Sequence, residues 1–167
     1  MPLGLANKLF LSLEGSEEFE HDSRVFGHPR EVGTAAYHIR PFGRPLIEAY
    51  FGGGLADDLE REGGRAFVDF AEYELNGLLG SGFSSRLRPV RLSQWRKDEF
   101  ALGSYSYAKP GHHGDRAILA APVDNRLFFA GEACSEISFS TAHGAYQTGV
   151  EAAGQALIAL GYHGAGG

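Results

Sequence analysis

An α+β fold is predicted from three features of the 167-residue sequence. Short alternating apolar segments are punctuated by Gly and Pro, an amphipathic helical stretch follows, and a strand, glycine turn and helix lie near the C-terminal end. Leu9 to Leu13 alternates and is rich in large apolar residues, so it reads as a strand leaving a turn at Gly4. Polar residues from Glu14 to Ser23 read as a loop. Three strands follow at Arg24–Phe26, Thr34–Arg40 and Leu46–Phe51, separated by "GHPREVG" and "PFGRP", and they suggest an antiparallel meander. "GGG" at 52–54 closes the last strand and opens a helical stretch broken at Gly63 and Gly64. Beyond the break Phe67, Phe70, Ala71, Glu74, Leu75 and Leu78 recur at helical spacing, their apolar members marking one buried face. Arg88–Gln94 is a further strand leading into the aromatic loop "WRKDEFALGSYSYAKPG". Ile118–Ala121 and Leu127–Ala130 are short apolar runs suited to strands buried on both faces, and Thr141–Leu160 is a helix with a smooth surface of small residues. The tail "GYHGAGG", 161–167, is expected to be disordered.

Composition narrows the function. Hydrophobic residues at 43% and charged residues at 22% are ordinary for a globular chain, whose size suits one substantial core. A net charge of −6 with no basic stripe argues against a nucleic-acid partner, whereas a cationic ligand would be tolerated. One cysteine, Cys134, excludes an intramolecular disulfide framework and leans towards the cytoplasm. The N-terminal residues lack the pattern of a signal peptide, and no segment approaches the roughly 20 apolar residues of a membrane span, so no membrane partner is expected.

Three constellations carry chemistry. In "RLFFAGEACSEISFSTAHGAYQTGVEAAGQAL", Gly131 would let the backbone approach a ligand closely, and Glu132 could accept from ribose hydroxyls or order the neighbouring backbone. Thr141 would open a helix whose free N–H groups favour an electron-rich ligand atom, with Ala142 and Ala145 leaving room for a flat ring. A routine strand-to-helix connection capped by Thr141 fits the same pattern. Trp95, Phe100, Tyr105 and Tyr107 form either a cavity wall attractive to an amine cation or core packing. Lys8, between Leu5 and Leu9, either needs a buried partner or points to solvent while its neighbours face inward. Weaker signals are discounted. "HHGD" at 112–115 is a surface loop and no metal is expected, "GSGFSS" at 80–85 follows a helix instead of a strand, and Cys134 has no partner that would activate it.

Taken jointly and in order, these segments resemble the flavin-containing amine oxidases, the group of polyamine oxidases, monoamine oxidases and lysine-specific histone demethylases. "LGLANKLFLSLE" is similar to their lysine-bearing strand, "WRKDEFALGSYSYAKPG" to their tryptophan and "GSYSY" segment, and "RLFFAGEACSEISFSTAHGAYQTGVEAA" to their closing motif. The resemblance implies a catalytic Lys8 that approaches flavin N5 through a water, and Tyr105 as an aromatic wall for the substrate. It also implies FAD contacts from Trp95, Phe100, Ser104, Gly131, Glu132, Thr141 and Ala142. It divides the chain into a substrate-domain-like region, 1–110, and the last piece of an FAD domain, 111–160. Members begin with a GxGxxG turn that holds the FAD pyrophosphate, and no such turn occurs in these 167 residues. The implied reading is the C-terminal part of an FAD-dependent amine oxidase acting on a small-molecule amine, with its partner a missing N-terminal Rossmann half. Alone the chain is expected to be inactive and to bind FAD weakly or not at all. The alternative is a non-catalytic truncated homologue that self-associates, as a homo-oligomer, through uncovered apolar surface.

Overall fold

A computed structural model describes residues 1–162. The chain forms two compact units, one of Leu5–Ser104 and one of Met1–Gly4 with the chain from Tyr105 onward.

In the first unit β1 (Ala6–Leu13), β2 (Ser23–Phe26), β3 (Ala36–Ile39), β4 (Leu46–Gly52) and β5 (Leu87–Leu92) form an antiparallel sheet in the order β2-β3-β4-β1-β5. The expected meander is β2-β3-β4, and β1 inserts between β4 and β5. Strict alternation sends Leu9, Leu11 and Leu13 of β1 and Ile47, Ala49 and Phe51 of β4 to one buried face. Helices α1 (Gly53–Glu62) and α2 (Gly64–Leu79), broken where the glycine pair predicts, bring Ala56, Phe67, Ala71 and Leu75 into the same core. The Phe51 and Phe67 rings meet edge to face at 5.0 Å, an arrangement favoured by the ring quadrupoles. Pro89 lacks an N–H and is tolerated because β5 is an edge strand, whose register shifts beside Phe10 and Leu11. Leu78, expected on the buried face of α2, is exposed, and Leu79 packs against the core in its place.

Polar groups pin this unit at two points. Asn7 is in phase with the buried leucines of β1 and donates from Nδ2 to Glu60 Oε2 at 2.7 Å. On α2, Glu74 accepts from Thr34 Oγ1, from Ala35 N at 3.1 Å and from Tyr37 Oη at 2.6 Å, tying the helix to β3. Burial, followed by the Glu74 carboxylate, pushes the Tyr37 phenol far above its usual range.

In the second unit residues 2–4 run antiparallel to 105–107, with Gly4 N donating to Tyr105 O at 2.8 Å and Tyr107 N to Pro2 O at 3.0 Å. Two sequence expectations are corrected here. Ile118–Ala121 is not a strand: Ile118–Ala120 lies in the short helix α3 (Asp115–Ala120), Ala121 is its C-cap, and Ile118 is 75% exposed. "DRAILA" consists mostly of good helix formers, and a short apolar run has no periodicity to separate the two states. Leu127–Ala130 forms only the bridge Val123↔Leu127, closed by left-handed Asp124 and Asn125. Among the described residues it meets no neighbouring strand to extend the ladder. The last helix, α4 (Ala142–Ala159), agrees with expectation within a residue or two. Of the tail, residues 163–167 lie outside the described residues.

Candidate functional site

The strongest candidate lies in the second unit, where a glycine turn meets the start of α4. Gly131 has φ 138°, a conformation L side chains rarely adopt, and a Cβ built there would meet nothing within 4 Å. The bare backbone therefore faces open space. Thr148, one helical turn past Gly144, clamps the turn from behind: its Oγ1 accepts from Gly131 N at 3.0 Å and lies 2.9 Å from Gly131 O. Gly144 is required for close approach, since a Cβ would fall 2.0 Å from Ser138 O.

Glu132 follows, and three protein donors converge on its carboxylate. Oε1 accepts from Ser106 N at 2.8 Å, while Oε2 accepts from Ser106 Oγ at 2.8 Å and from Ser140 N at 2.7 Å. An ionised carboxylate offers about four acceptor positions, so ordering the backbone is its main task here and about one position remains for a ligand hydroxyl. Ser140 has φ 60°, which costs about 1–2 kcal/mol for a non-glycine residue. Its two hydrogen bonds, from N to Glu132 and from Oγ to Ser106 O at 2.9 Å, offset that strain. The next residue caps α4: Thr141 Oγ1 accepts from Gly144 N at 3.1 Å and donates to Ser138 O at 2.5 Å. The first helical N–H groups, at Ala142 and His143, have no intrahelical acceptor by the geometry of any helix start, and both residues are exposed. These features fit a flavin: a bare glycine turn, a positive helix end, and room beside small Ala142 and Ala145.

Lys8 lies in the first unit, on the sheet face opposite the core, and its side chain is 45% exposed. It is paired with Glu48 at 2.5 Å, so the ammonium is neither buried alone nor unpartnered. The pair lines a surface cavity of about 360 Å³ with Arg24, Phe26, His38 and Tyr50. The register accounts for this grouping: Lys8↔Tyr50↔Ala36↔Phe26 form one row across the strands, with Ala36 the dip between two aromatic rings.

The aromatic loop is at the surface, not in the core: Trp95 and Tyr105 are partly exposed and Phe100 is 89% exposed. Trp95 and Phe100 belong to the first unit, and Tyr105 and Tyr107 to the second. Ser104 anchors the loop on β1, its Oγ accepting from Ala6 N at 2.8 Å. Trp95 N donates to Asn7 Oδ1 at 3.2 Å and Lys97 N to Glu60 Oε1 at 3.0 Å, so the buried Asn7–Glu60 pair carries the start of this loop. Sequence reasoning singled out Lys8 and missed Asn7, although period-2 phasing with Leu9, Leu11 and Leu13 places Asn7 on the inside. It also missed Arg116, which is buried beneath Ser106 and for which the sequence offers no signal. Cys134 is buried, and burial, followed by Glu132, pushes its thiol up, against the opposing effect of Arg116. His112 pairs with Asp115 at 2.9 Å, and no group of three or more metal-ligating side chains converges among the described residues.

Comparison with known proteins gives this geometry its family. The profile described as "Flavin containing amine oxidoreductase" matches residues 1–157, and the chain belongs to that family. It is similar to Polyamine oxidase 2 of Arabidopsis thaliana, 40% identical over 90% of this chain and 31% of the relative. It is also similar to Polyamine oxidase 3 of Oryza sativa subsp. japonica, 39% identical over 92% of this chain and 32% of the relative. Lysine-specific histone demethylase 1 homolog 2 of Arabidopsis thaliana is 34% identical over 76% of this chain and 17% of the relative. The chain thus spans about a third, or less, of the length of these curated relatives.

Proposed function

We propose that this chain is the C-terminal part of an FAD-dependent amine oxidase that oxidises a small-molecule amine to an imine. The observation that carries the reading is the open Gly131 turn joined through Glu132 to the Thr141-capped start of α4, in a chain matched to the amine oxidoreductase family over 1–157. Bound FAD would supply the acceptor for the hydride leaving the carbon beside the amine nitrogen, at flavin N5.

The chain's own residues contribute binding and charge. Gly131 admits the cofactor to the backbone, Glu132 fixes the turn, and the α4 start places positive potential where negative charge develops. Ala142 leaves the helix end flat, and Trp95, Phe100 and Ser104 stand in the segment that faces the ring. Tyr105 presents an aromatic face to the ammonium of the substrate. Lys8, held by Glu48, orders a water for imine hydrolysis or oxygen reduction. The pyrophosphate grip falls to a partner, an N-terminal Rossmann half, and FAD binds this chain alone weakly or not at all.

A second reading has its own support. Ile118, Leu127, Ile137, Val150 and Ile158 of the second unit are exposed, which favours a non-catalytic module that forms a homo-oligomer through this surface. The two readings separate in one experiment on the longest protein that carries this chain. Anaerobic addition of spermidine should bleach its flavin absorbance and air should restore it. A protein that copurifies without flavin, takes up none from added FAD and sediments as a stable homo-oligomer would instead support the module.

A further inference from the structure

Arg116 has no role in the reading above, yet it is fully buried at 0% exposure. Its Nη1 donates to Ser106 Oγ at 2.8 Å and to Ala133 O at 3.0 Å, and its guanidinium carbon lies 4.3 Å from the centre of the Phe139 ring. Nε and Nη2 are buried without a partner. A guanidinium cannot shed its proton, so burying one is costly unless an opposite charge answers it. Glu132 is linked to it through a single hydroxyl.

The direction of that link is forced. Arginine only donates and an ionised carboxylate only accepts, so Ser106 Oγ must accept from Arg116 and turn its one proton towards Glu132 Oε2. Hydrogen bonds in such a chain polarise one another. Ser106 N donates to the other carboxylate oxygen, Ser140 N to the first, and Ser140 Oγ closes the circuit on Ser106 O.

We infer that Arg116 is a positioning residue: through Ser106 Oγ it holds the Glu132 carboxylate in the one orientation that receives both Ser106 N and Ser140 N. It thereby sets the Tyr105–Tyr107 segment, the Gly131 turn and the Thr141 cap against one another. The functional consequence, a fixed cofactor-facing surface, rests on the flavin reading; the positioning itself does not.

The test is amide hydrogen exchange on the full 167-residue chain, comparing Arg116→Met, Ser106→Ala and the double variant, with Val150 in the middle of α4 as the internal control. Arg116→Met should speed exchange at Ser140 about tenfold, the scale of a lost charge-assisted hydrogen bond, and leave Val150 unchanged. Arg116→Lys should restore part of the protection. Ser106→Ala should match Arg116→Met at Ser140, and the double variant should be no faster than either single variant, because the two act in series. Unchanged exchange at Ser140, equal acceleration at Val150, or additive effects would each overturn the inference. If Arg116→Met does not fold, Ser106→Ala and Arg116→Lys decide it alone. In the longest FAD-binding protein that carries this chain, Glu132→Gln with unaltered FAD affinity would contradict the flavin reading while leaving the exchange result to stand.

Discussion

The Leu5–Ser104 unit buries mostly apolar side chains, with Asn7, Ser16 and Glu60 among them, whereas the unit from Tyr105 onward buries mostly polar ones. In the first, Leu9, Ile39, Phe51, Phe67 and Leu75 share one continuous apolar core between sheet and helices. Among the described residues of the second, the buried ones are Ser106, Arg116, Cys134, Ser135, Gly144 and Thr148, while Val150, Leu157 and Ile158 of α4 are exposed. Apolar burial contributes about 25 cal/mol per Å² whatever the orientation, so it stabilises strongly but directs weakly. A hydrogen bond nets only about 0.5–1.5 kcal/mol, yet it fixes direction. The first unit therefore has the stability and the second the directed geometry. A helix with apolar residues on several outward faces is the kind normally covered by other protein.

The difference can be broken most forcefully in the core. Phe67→Ala should cost the Leu5–Ser104 unit about 3–5 kcal/mol and lower its thermal midpoint in a melt followed by circular dichroism. A loss below about 1 kcal/mol would show that the apolar core is not what holds this unit. Next is the polar pin within that core. Asn7→Ala leaves the Glu60 carboxylate buried with one partner fewer, at a cost of about 1–3 kcal/mol, and releases the backbone of Trp95. Trp95 is the one tryptophan of the chain, so its fluorescence should shift before unfolding. Unchanged emission would remove Asn7 from the support of the loop.

Lys8→Met should change stability by less than about 1 kcal/mol, because an ion pair this exposed is screened and gains little. In the longest flavin-binding protein that carries this chain, the proposed role of Lys8 predicts slower turnover for the same variant. Equal turnover would take Lys8 out of the site. The smallest effect concerns Asp22, whose carboxyl is held below its ordinary value first by the Phe42 N–H and then, against burial, by His38. A depressed carboxyl contributes stability above its unfolded value of 3.8, which is lost as pH falls through the folded one. Asp22→Asn, tolerable at φ 58°, should differ from wild type in urea midpoint at pH 6 and converge with it as pH falls through the folded carboxyl's titration. A constant gap would point to the side-chain shape instead.

The two units were also unequally legible in the sequence. β1 to β5 and α1 and α2 follow the punctuation of Gly and Pro and the two periodicities, because one buried face imposes its pattern on every element that touches it. The second unit has no such face among its short elements, so "ILAA" and "LFFA" read as strands from composition alone. Gly131, Glu132 and Thr141 could be picked out as special backbone and cap residues. Arg116 could not, since its burial depends on the fold of Ser106, Ala133 and Phe139 around it. Asn7 is readable from its phase with the leucines, which places it inside while Lys8 beside it points out.

The proposed cofactor grip is divided, with the turn and cap in this chain and the pyrophosphate held by another part of the protein. Titration of FAD into the 167-residue chain, followed by flavin fluorescence and calorimetry, tests it most directly. A grip divided in this way predicts no saturation at micromolar FAD, because the charged pyrophosphate contacts would come from the other half and an open face buries too little of a flat ligand. Stoichiometric, tight binding would contradict it and require a phosphate site within this chain, for which the "GSGFSS" turn at 80–85 is the first place to look.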